Sequence, residues 1–134
     1  MNKLTGKIVA IETSPHMSLV TIDVDGDLFS SIVLETPATA GYLKEGGQVA
    51  LLFKETEVSI AKGLCGLISL RNRFQATVKK IDVSDILSKI FLDYKNKEIV
   101  SVITTRSTKK LGLAEGDLVE WLVKTNEVSL YKEA

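Results

Sequence analysis

The segment EGDLVEWLVKTNEVSL, residues 115–130, decides the fold because it repeats EGGQVALLFKETEVSI, residues 45–60. The offset between the two segments is 70 residues (115 − 45 = 70), and it aligns the rest of the chain without a gap. Self-similarity at a fixed offset is the sequence signature of repeated structural units. The sequence therefore predicts two copies of one small domain, residues 1–64 and residues 65–134. Identical pairs elsewhere include Asn2 with Asn72, Ile11 with Ile81, Asp23 with Asp93 and Ser31 with Ser101.

Each copy has the pattern of an all-β domain. In the first copy, Val20, Ile22 and Val24 alternate with Thr21 and Asp23, and the Asp-Gly pair at 25–26 is a strong hairpin signal. In the second copy, Asn-Lys at 96–97 is expected to turn the chain at the matching place. Residues 127–130 are expected to close the second copy, which gives about five strands. A five-stranded, partly open barrel resembling the OB fold is the natural closure for that number.

One short helical turn is expected in each barrel, after its third strand. In the second copy this turn is predicted over residues 107–111. Ser107 has a side chain suited to an N-cap, and Gly112 follows as a stop signal.

The composition excludes several classes of protein. The chain has 134 residues, 45% hydrophobic and 25% charged, which is typical of a globular protein. Its longest apolar run, residues 49–53, is far shorter than the ~20 residues of a membrane span. The first residues lack an apolar signal core, so a cytoplasmic protein with no membrane partner is expected.

The few nucleophilic and metal-binding residues also limit the chemistry. One cysteine, Cys65, and one histidine, His16, exclude an intrachain disulfide and a Cys/His zinc site. No general acid, nucleophile or metal constellation can be assembled from the sequence, so the protein is not expected to be an enzyme. Cys65 lies in the joint between the copies, residues 62–68, which is apolar enough to be expected to pack.

Charge is balanced over the whole chain but not within each half. Residues 1–66 carry five Lys or Arg and eight Asp or Glu (5 − 8 = −3), whereas residues 67–134 carry twelve and nine (12 − 9 = +3). The second half is therefore the better candidate for binding an anion.

Three motifs follow one another in the second copy: SLRN at residues 69–72, TTRS at residues 104–107, and Lys124 shortly before Glu127. With these landmarks in order, the second copy resembles the molybdenum-pterin-binding (Mop) family, part of the wider group of TOBE oxyanion-binding domains. The tandem arrangement resembles two-domain molybdate-binding proteins and the molybdate-sensing half of the molybdate-dependent repressor. The resemblance implies molybdate or tungstate as the ligand, bound as an oxyanion without direct coordination of a metal cation.

The resemblance assigns seven donor groups to the anion. They are the hydroxyls of Ser69, Thr104 and Ser107, the amides of Leu70 and Thr125, and the cationic side chains of Arg71 and Lys124. Asn72 matches the motif and is expected to support the local turn. A tetrahedral dianion offers only acceptors, so a site made of donors with two cations suits its chemistry.

The predicted strand order separates these groups. If the first three strands of the second copy run up, down and up, Arg71 and Thr104 lie at opposite ends of the barrel. We therefore expect Ser69, Arg71 and Lys124 of one chain to meet Thr104 and Ser107 of a neighbour in a homo-oligomer, either a trimer or a dimer.

The first copy departs from the motif pattern. It begins at Met1 and so lacks the Ser-x-Arg part, while Leu34 and Pro37 stand where the second copy has Thr104 and Ser107. Among the motif cations, Lys54 alone remains, and the first copy is expected to be a structural half.

Intracellular storage or homeostasis of molybdate or tungstate is the predicted function. A sensing module that acts through a partner is an alternative with the same chemistry. A second alternative is an OB-like nucleic-acid module with a basic stripe of Arg71, Arg73, Lys79 and Lys80. Such modules stack bases on exposed aromatics, and this chain has 6% aromatic residues and no net charge. The preferred anion, the oligomer size, the number of bound anions and any ligand of the first copy stay open.

Overall fold

The computed structural model describes residues 1–133. The strands within them are β1 (Asn2–Ser14), β2 (Met17–Val24), β3 (Asp27–Val33), β4 (Gln48–Phe53), β5 (Ser59–Ala61), β6 (Asn72–Val83), β7 (Leu87–Tyr94), β8 (Lys97–Thr104), β9 (Leu118–Val123) and β10 (Ser129–Lys132). Helix α1 (Thr105–Lys110) follows β8, and short 3-10 turns at Glu55–Glu57 and Thr125–Glu127 precede β5 and β10. None of the helical segments in this part of the chain has the length and hydropathy needed to cross a membrane.

The two-copy repeat is visible strand by strand. Each of the first five strands recurs about 70 residues later, and both opening strands carry an irregularity at the same place. The register of β1 with β2 shifts between Ile8 and Ala10, and that of β6 with β7 shifts between Val78 and Lys80. Such a bulge bends a strand and increases its twist, which helps a sheet to curl. Two five-stranded OB-like sheets result, which confirms the predicted fold class.

The first compact unit consists of Met1–Asn2 and Lys54–Val123, with strand order β5-β9-β6-β7-β8. Its core contains three aromatic rings. Trp121 lies 5.4 Å from Phe74 and 5.2 Å from Tyr94, measured between ring centroids, and is fully buried. Trp121 is therefore a core residue, as its position in an alternating strand indicates.

The second compact unit consists of Lys3–Phe53 and the residues from Lys124 onward, with strand order β10-β4-β1-β2-β3. Aliphatic side chains and the aromatic rings of Phe29 and Phe53 fill its core. Ile8, Ile22, Phe29 and Leu51 each have no exposed surface.

The closing strand of each unit comes from the other sequence copy. In the first unit, β5 pairs with β9, and the buried Ser101 hydroxyl donates to the carbonyl of Val58 at 2.6 Å. In the second unit, β10 pairs with β4, and the Ser31 hydroxyl donates to the carbonyl of Val128 at 2.6 Å.

The expectation that residues 127–130 close their own copy is wrong. Glu-Val-Ser occurs at both 57–59 and 127–129, so either segment can supply the same backbone bonds to either sheet. The division at residues 64 and 65 stays a prediction about the sequence copies.

The first hairpin turn lies at the predicted residues, and the second is shifted by one residue. Asp25 and Gly26 form the first turn with positive φ angles of 50° and 92°. The second turn is formed by Lys95 and Asn96, with φ angles of 49° and 65°, one residue earlier than expected.

Helix α1 begins earlier than predicted. Its N-cap is Thr104, whose side-chain oxygen accepts a hydrogen bond from the amide of Ser107 at 3.1 Å. Ser107 is therefore the third helical residue and not the cap.

The first copy forms a hydrogen-bonded turn where the second copy has its helix. The carbonyl of Thr36 accepts from the amides of Thr39 and Ala40. Leu34 at the cap position has no side-chain oxygen, and Pro37 has no N–H to receive a cap, so this helix start cannot be copied.

Replacing Leu130 tests the exchange of closing strands. Leu130 is 7% exposed and pairs with Leu51 of β4. Leu130→Ala is expected to cost about 2–4 kcal/mol of unfolding free energy. Native-state hydrogen exchange should show the loss of protection first in β4 and not in the equivalent strand β9. Tyr131→Ala, at a site that is 54% exposed, is the control. Loss of protection centred on β9 would contradict the exchange.

Candidate functional site

The Ser-x-Arg segment lies directly before β6. Ser69 and Arg71 are exposed and Leu70 is half-buried. The Arg71 guanidinium donates to the carbonyl of Ile68 at 2.7 Å, and within residues 1–133 it has no carboxylate partner. Asn72 begins β6 and is fully buried, so its side chain does not face solvent.

Thr104 and Ser107 lie together at the start of α1. The Thr104 hydroxyl donates to the Ser107 hydroxyl oxygen at 2.9 Å while it accepts from the Ser107 amide. Because the Ser107 oxygen receives the Thr104 hydrogen, its own hydroxyl hydrogen is available to donate to a ligand.

Two neighbouring threonines, which the motif comparison missed, hold this corner in place. Thr105 donates to the carbonyl of Ser84 at 2.6 Å, and Thr108 donates to the carbonyl of Thr104 at 3.1 Å. Both side chains are buried. Nothing in the sequence distinguishes these two threonines from the exposed Thr104 and Ser107.

Strand β6 keeps the two motifs of the first unit apart. Arg71 precedes the first residue of β6, whereas Thr104 pairs with Leu87, just beyond the far end of β6. With about 3.3 Å per residue, the 12 residues of β6 span at most roughly 40 Å, and these groups lie at its two ends. The structure thus brings Thr104 and Ser107 together but does not bring Arg71 to them.

Lys124 follows the end of β9. Val123, the residue before it, pairs with Asn72, the residue after Arg71, so β9 runs in the direction that the predicted site requires. Lys124 is exposed and has no carboxylate partner in the described part of the chain. Thr125 is half-buried and begins the 3-10 turn that leads to β10.

A concavity of about 340 Å³ lies beside Thr104 and is lined by Asp85, Ile86, Thr104 and Arg106. Asp85 brings a carboxylate to this side of the site, and Arg106 brings a compensating cation.

The proposed basic stripe is largely neutralised. Arg73 makes a two-pronged ion pair with Glu120 at 2.7 and 3.1 Å, and this hydrogen bond raises the pKa of Arg73. Lys79 lies 2.6 Å from Glu98, and Lys80 lies 3.6 Å from Asp82. Three of the four cations therefore have carboxylate partners, which disfavours a surface for nucleic acid.

The matching corner of the first copy contains an acid. Glu35 accepts a hydrogen bond from the Tyr42 hydroxyl at 2.9 Å. Burial, together with this hydrogen bond, raises the pKa of Tyr42 to about 12. Thr36 stands at the position of Arg106, so the first copy lacks the cation that accompanies Asp85 in the second, and this disfavours a second oxyanion site of the same design.

The joint between the copies is not packed as expected. Cys65 and Leu67 are both exposed. The joint is held by polar contacts, because Arg73 donates to the carbonyl of Leu64 at 3.2 Å and Arg71 donates to that of Ile68. Among residues 1–133, no cluster of three or more His, Cys, Asp or Glu side chains could hold a metal ion.

Comparison with known proteins finds a matching domain family and a similar solved structure. Residues 68–130 match the model of the TOBE domain. In structure, the chain is similar to the cytoplasmic molybdate-binding protein ModG, whose crystal form contains molybdate. The TM-score is 0.90 at 25% identity, over 98% of this chain and 96% of ModG.

Two curated relatives are longer proteins. The molybdenum-pterin-binding protein MopA of Rhodobacter capsulatus is 35% identical over 108 residues, which are 79% of this chain and 41% of MopA. The molybdenum import ATP-binding protein ModC of Brucella abortus is 36% identical over 87 residues, which are 64% of this chain and 24% of ModC. The chain thus spans less than half the length of either relative.

Removing the cap of α1 is expected to weaken this corner of the site. Thr104→Ala should reduce the unfolding free energy by about 1 kcal/mol, because the Ser107 amide loses its acceptor. Urea denaturation would measure the loss. Thr104→Ser keeps the acceptor and should recover most of it, whereas an equal loss in Ser107→Ala would show that the cap is not the cause.

A second polar contact makes stability depend on pH. Lys62, which follows β5, donates to Asp117 at 2.9 Å, and this hydrogen bond lowers the pKa of Asp117. Stabilisation from such a group is complete above its ordinary pKa, near 3.8, and disappears as pH falls through the lower pKa of the folded protein.

Asp117→Asn is therefore expected to lower the Tm near neutral pH and to match the unsubstituted protein at about pH 2. Thermal unfolding monitored by circular dichroism across this range is the measurement. Lys62→Met should lose the same pH-dependent stabilisation, together with a pH-independent part from its bond to the Gly112 carbonyl at 2.9 Å. A difference that persists at low pH in Asp117→Asn would contradict the assignment.

Proposed function

We propose that the protein binds molybdate or tungstate for intracellular storage or homeostasis, because residues 68–130, which carry the three motifs, match the TOBE domain. The observation that carries the proposal is that the Thr104 and Ser107 hydroxyls and the Arg71 guanidinium are all exposed, and that Arg71 has no carboxylate partner among residues 1–133. The fold shared with molybdate-containing ModG supports the same ligand.

The chemistry of the seven groups suits a tetrahedral dianion. Every group in the set donates hydrogen bonds, and Arg71 with Lys124 supplies two positive charges. Hydrogen bonds to a charged partner contribute about 1.5–3 kcal/mol each, more than neutral ones. The anion would replace contacts within the protein, namely that of Arg71 with the Ile68 carbonyl and that of the Thr104 hydroxyl with the Ser107 oxygen.

The separation of the motifs supports a site shared between subunits. Arg71 and Thr104 lie at opposite ends of β6, so one copy of the first unit cannot offer both to one small anion. In a homo-oligomer, Ser69, Arg71 and Lys124 of one chain would meet Thr104 and Ser107 of its neighbour. Asn72, which is buried, would position the backbone of the motif and would not contact the anion.

The first copy would then contribute structure and not a second site. It lacks the hydroxyl pair, and Glu35 stands beside the equivalent turn. A cytoplasmic, non-enzymatic role agrees with this division. ModG is likewise a cytoplasmic molybdate-binding protein. A sensor that reports anion levels to a partner would use the same site.

Arg71→Ala is expected to abolish tight binding of the anion and to leave the fold intact, because the exposed guanidinium stabilises no core contact. Isothermal titration calorimetry with molybdate, tungstate and sulfate is the measurement, with circular dichroism to confirm folding. Lys132→Ala removes another exposed cation and should bind normally. Unchanged affinity in Arg71→Ala would overturn the site.

Mixing two defective variants tests the shared site. Arg71→Ala and Ser107→Ala chains should each bind poorly, but co-expressed chains should regain about one quarter of the sites if subunits combine at random. Recovery occurs because some interfaces receive Arg71 and Ser107 from different chains. A mixture that binds no better than its components would show that the site lies within one chain.

A further inference from the structure

A separate cavity of about 370 Å³ lies in the first unit, between α1 and the ends of β5 and β8. Its lining residues are Ser59, Ile60, Ile103, Ser107, Lys110 and Leu111. This volume falls within the range of small-molecule sites in proteins. None of the motif comparisons assigns a ligand to Ser59, Lys110 or the apolar residues.

The lining divides into a polar rim and an apolar floor. The rim contains the exposed side chains of Ser59, Ser107 and Lys110, which bring two hydroxyls and one ammonium group. The floor contains Ile60, Ile103 and Leu111, three aliphatic side chains that are all only half-buried. The described lining includes no carboxylate.

The rim groups are available to a ligand. Within residues 1–133, the Lys110 ammonium and the Ser59 hydroxyl have no hydrogen-bond or ion-pair partner, in contrast to Lys62, which bonds Asp117 at 2.9 Å. The Lys62 bond also fixes the chain just after β5, so Ser59 and Ile60 are held in their places beside α1.

We propose that this cavity binds a small organic monoanion with an apolar face, such as an aromatic carboxylate. A single cation matches a single negative charge, and the two hydroxyls add neutral donors to the same end. The half-buried floor would cover the apolar ring of such a ligand. A bare inorganic oxyanion has no apolar surface and would gain no free energy from this contact. The proposal rests on the proposed function for one consequence only. Because Ser107 belongs both to this cavity and to the proposed oxyanion site, the organic anion and molybdate would compete.

The strand exchange gives the cavity its composition. Ser59 and Ile60 belong to the first sequence copy, whereas the other lining residues belong to the second. The equivalent place in the other unit has Ala40 and Gly41 where the cavity has Lys110 and Leu111. The cavity is therefore specific to the first unit, and its ligand would use both sequence copies.

The test uses the full chain without oxyanion and sodium benzoate as the probe, followed by amide chemical shifts. Benzoate should shift the amides of residues 59–61, 103 and 107–111 in a saturable manner. Lys110→Gln should weaken binding about ten-fold, whereas the adjacent Lys109→Gln, which lies outside the cavity lining, should not change it. Acetate and benzyl alcohol, which lack the ring and the charge respectively, should both bind more weakly than benzoate.

Equal binding of benzyl alcohol, equal loss in Lys109→Gln, or shifts elsewhere in the chain would overturn the proposal. The Arg71→Ala variant separates it from the proposed function, since this variant should lose molybdate and keep benzoate. Added molybdate should displace benzoate from the unsubstituted protein but not from Arg71→Ala. Benzoate binding with no displacement by molybdate would retain the cavity site and reject its link to the oxyanion.

Discussion

The long opening strand of each sheet is the constraint on which the rest of the architecture depends. β6 pairs with β9 along its first half and with β7 along its second half, and the register shift near Lys79 marks the change between them. One strand of 12 residues thereby joins both sides of a curled sheet. It also sets the distance between Arg71 at its start and Thr104 beyond its end.

That distance explains why the proposed ligand groups do not meet within one chain. The Thr104 and Ser107 hydroxyls are preorganised because each already takes part in the cap of α1. Among residues 1–133, the Arg71 guanidinium donates to one carbonyl, which it can exchange for a stronger acceptor. Rigid hydroxyls and an adaptable cation are a suitable combination for an anion that must lose its water.

Much of the fold follows from local patterns in the sequence. The repeat, the alternation around Ile22 and the Asp25-Gly26 turn depend on neighbouring residues, so they could be predicted. The exchange of closing strands could not, because Ser59 and Ser129 follow the same Glu-Val pair and suit either sheet equally well. The N-cap was misplaced because Thr104 and Ser107 both have suitable oxygens, and only the backbone geometry distinguishes them.

The site was predictable in its residue types and not in its surroundings. The Ser-x-Arg and Thr-x-x-Ser spacings identify donors, but they do not show that Thr105 anchors the corner or that Asp85 borders it. The cavity at Lys110 was missed because Ser59 comes from a different sequence copy. Apolar composition also misled the interpretation of the joint, where Cys65 is exposed.

The exchange of closing strands has a consequence for how such a chain can change over time. Glu35 and Pro37 stand where the second copy has Thr105 and Ser107, so the first copy lacks the proposed site, yet its residues 57–61 complete the sheet of the second copy. Neither copy can be discarded without opening the sheet of the other. In a duplicated chain built in this way, the residues of one copy can change its function, but both copies must be kept because each completes the sheet of the other.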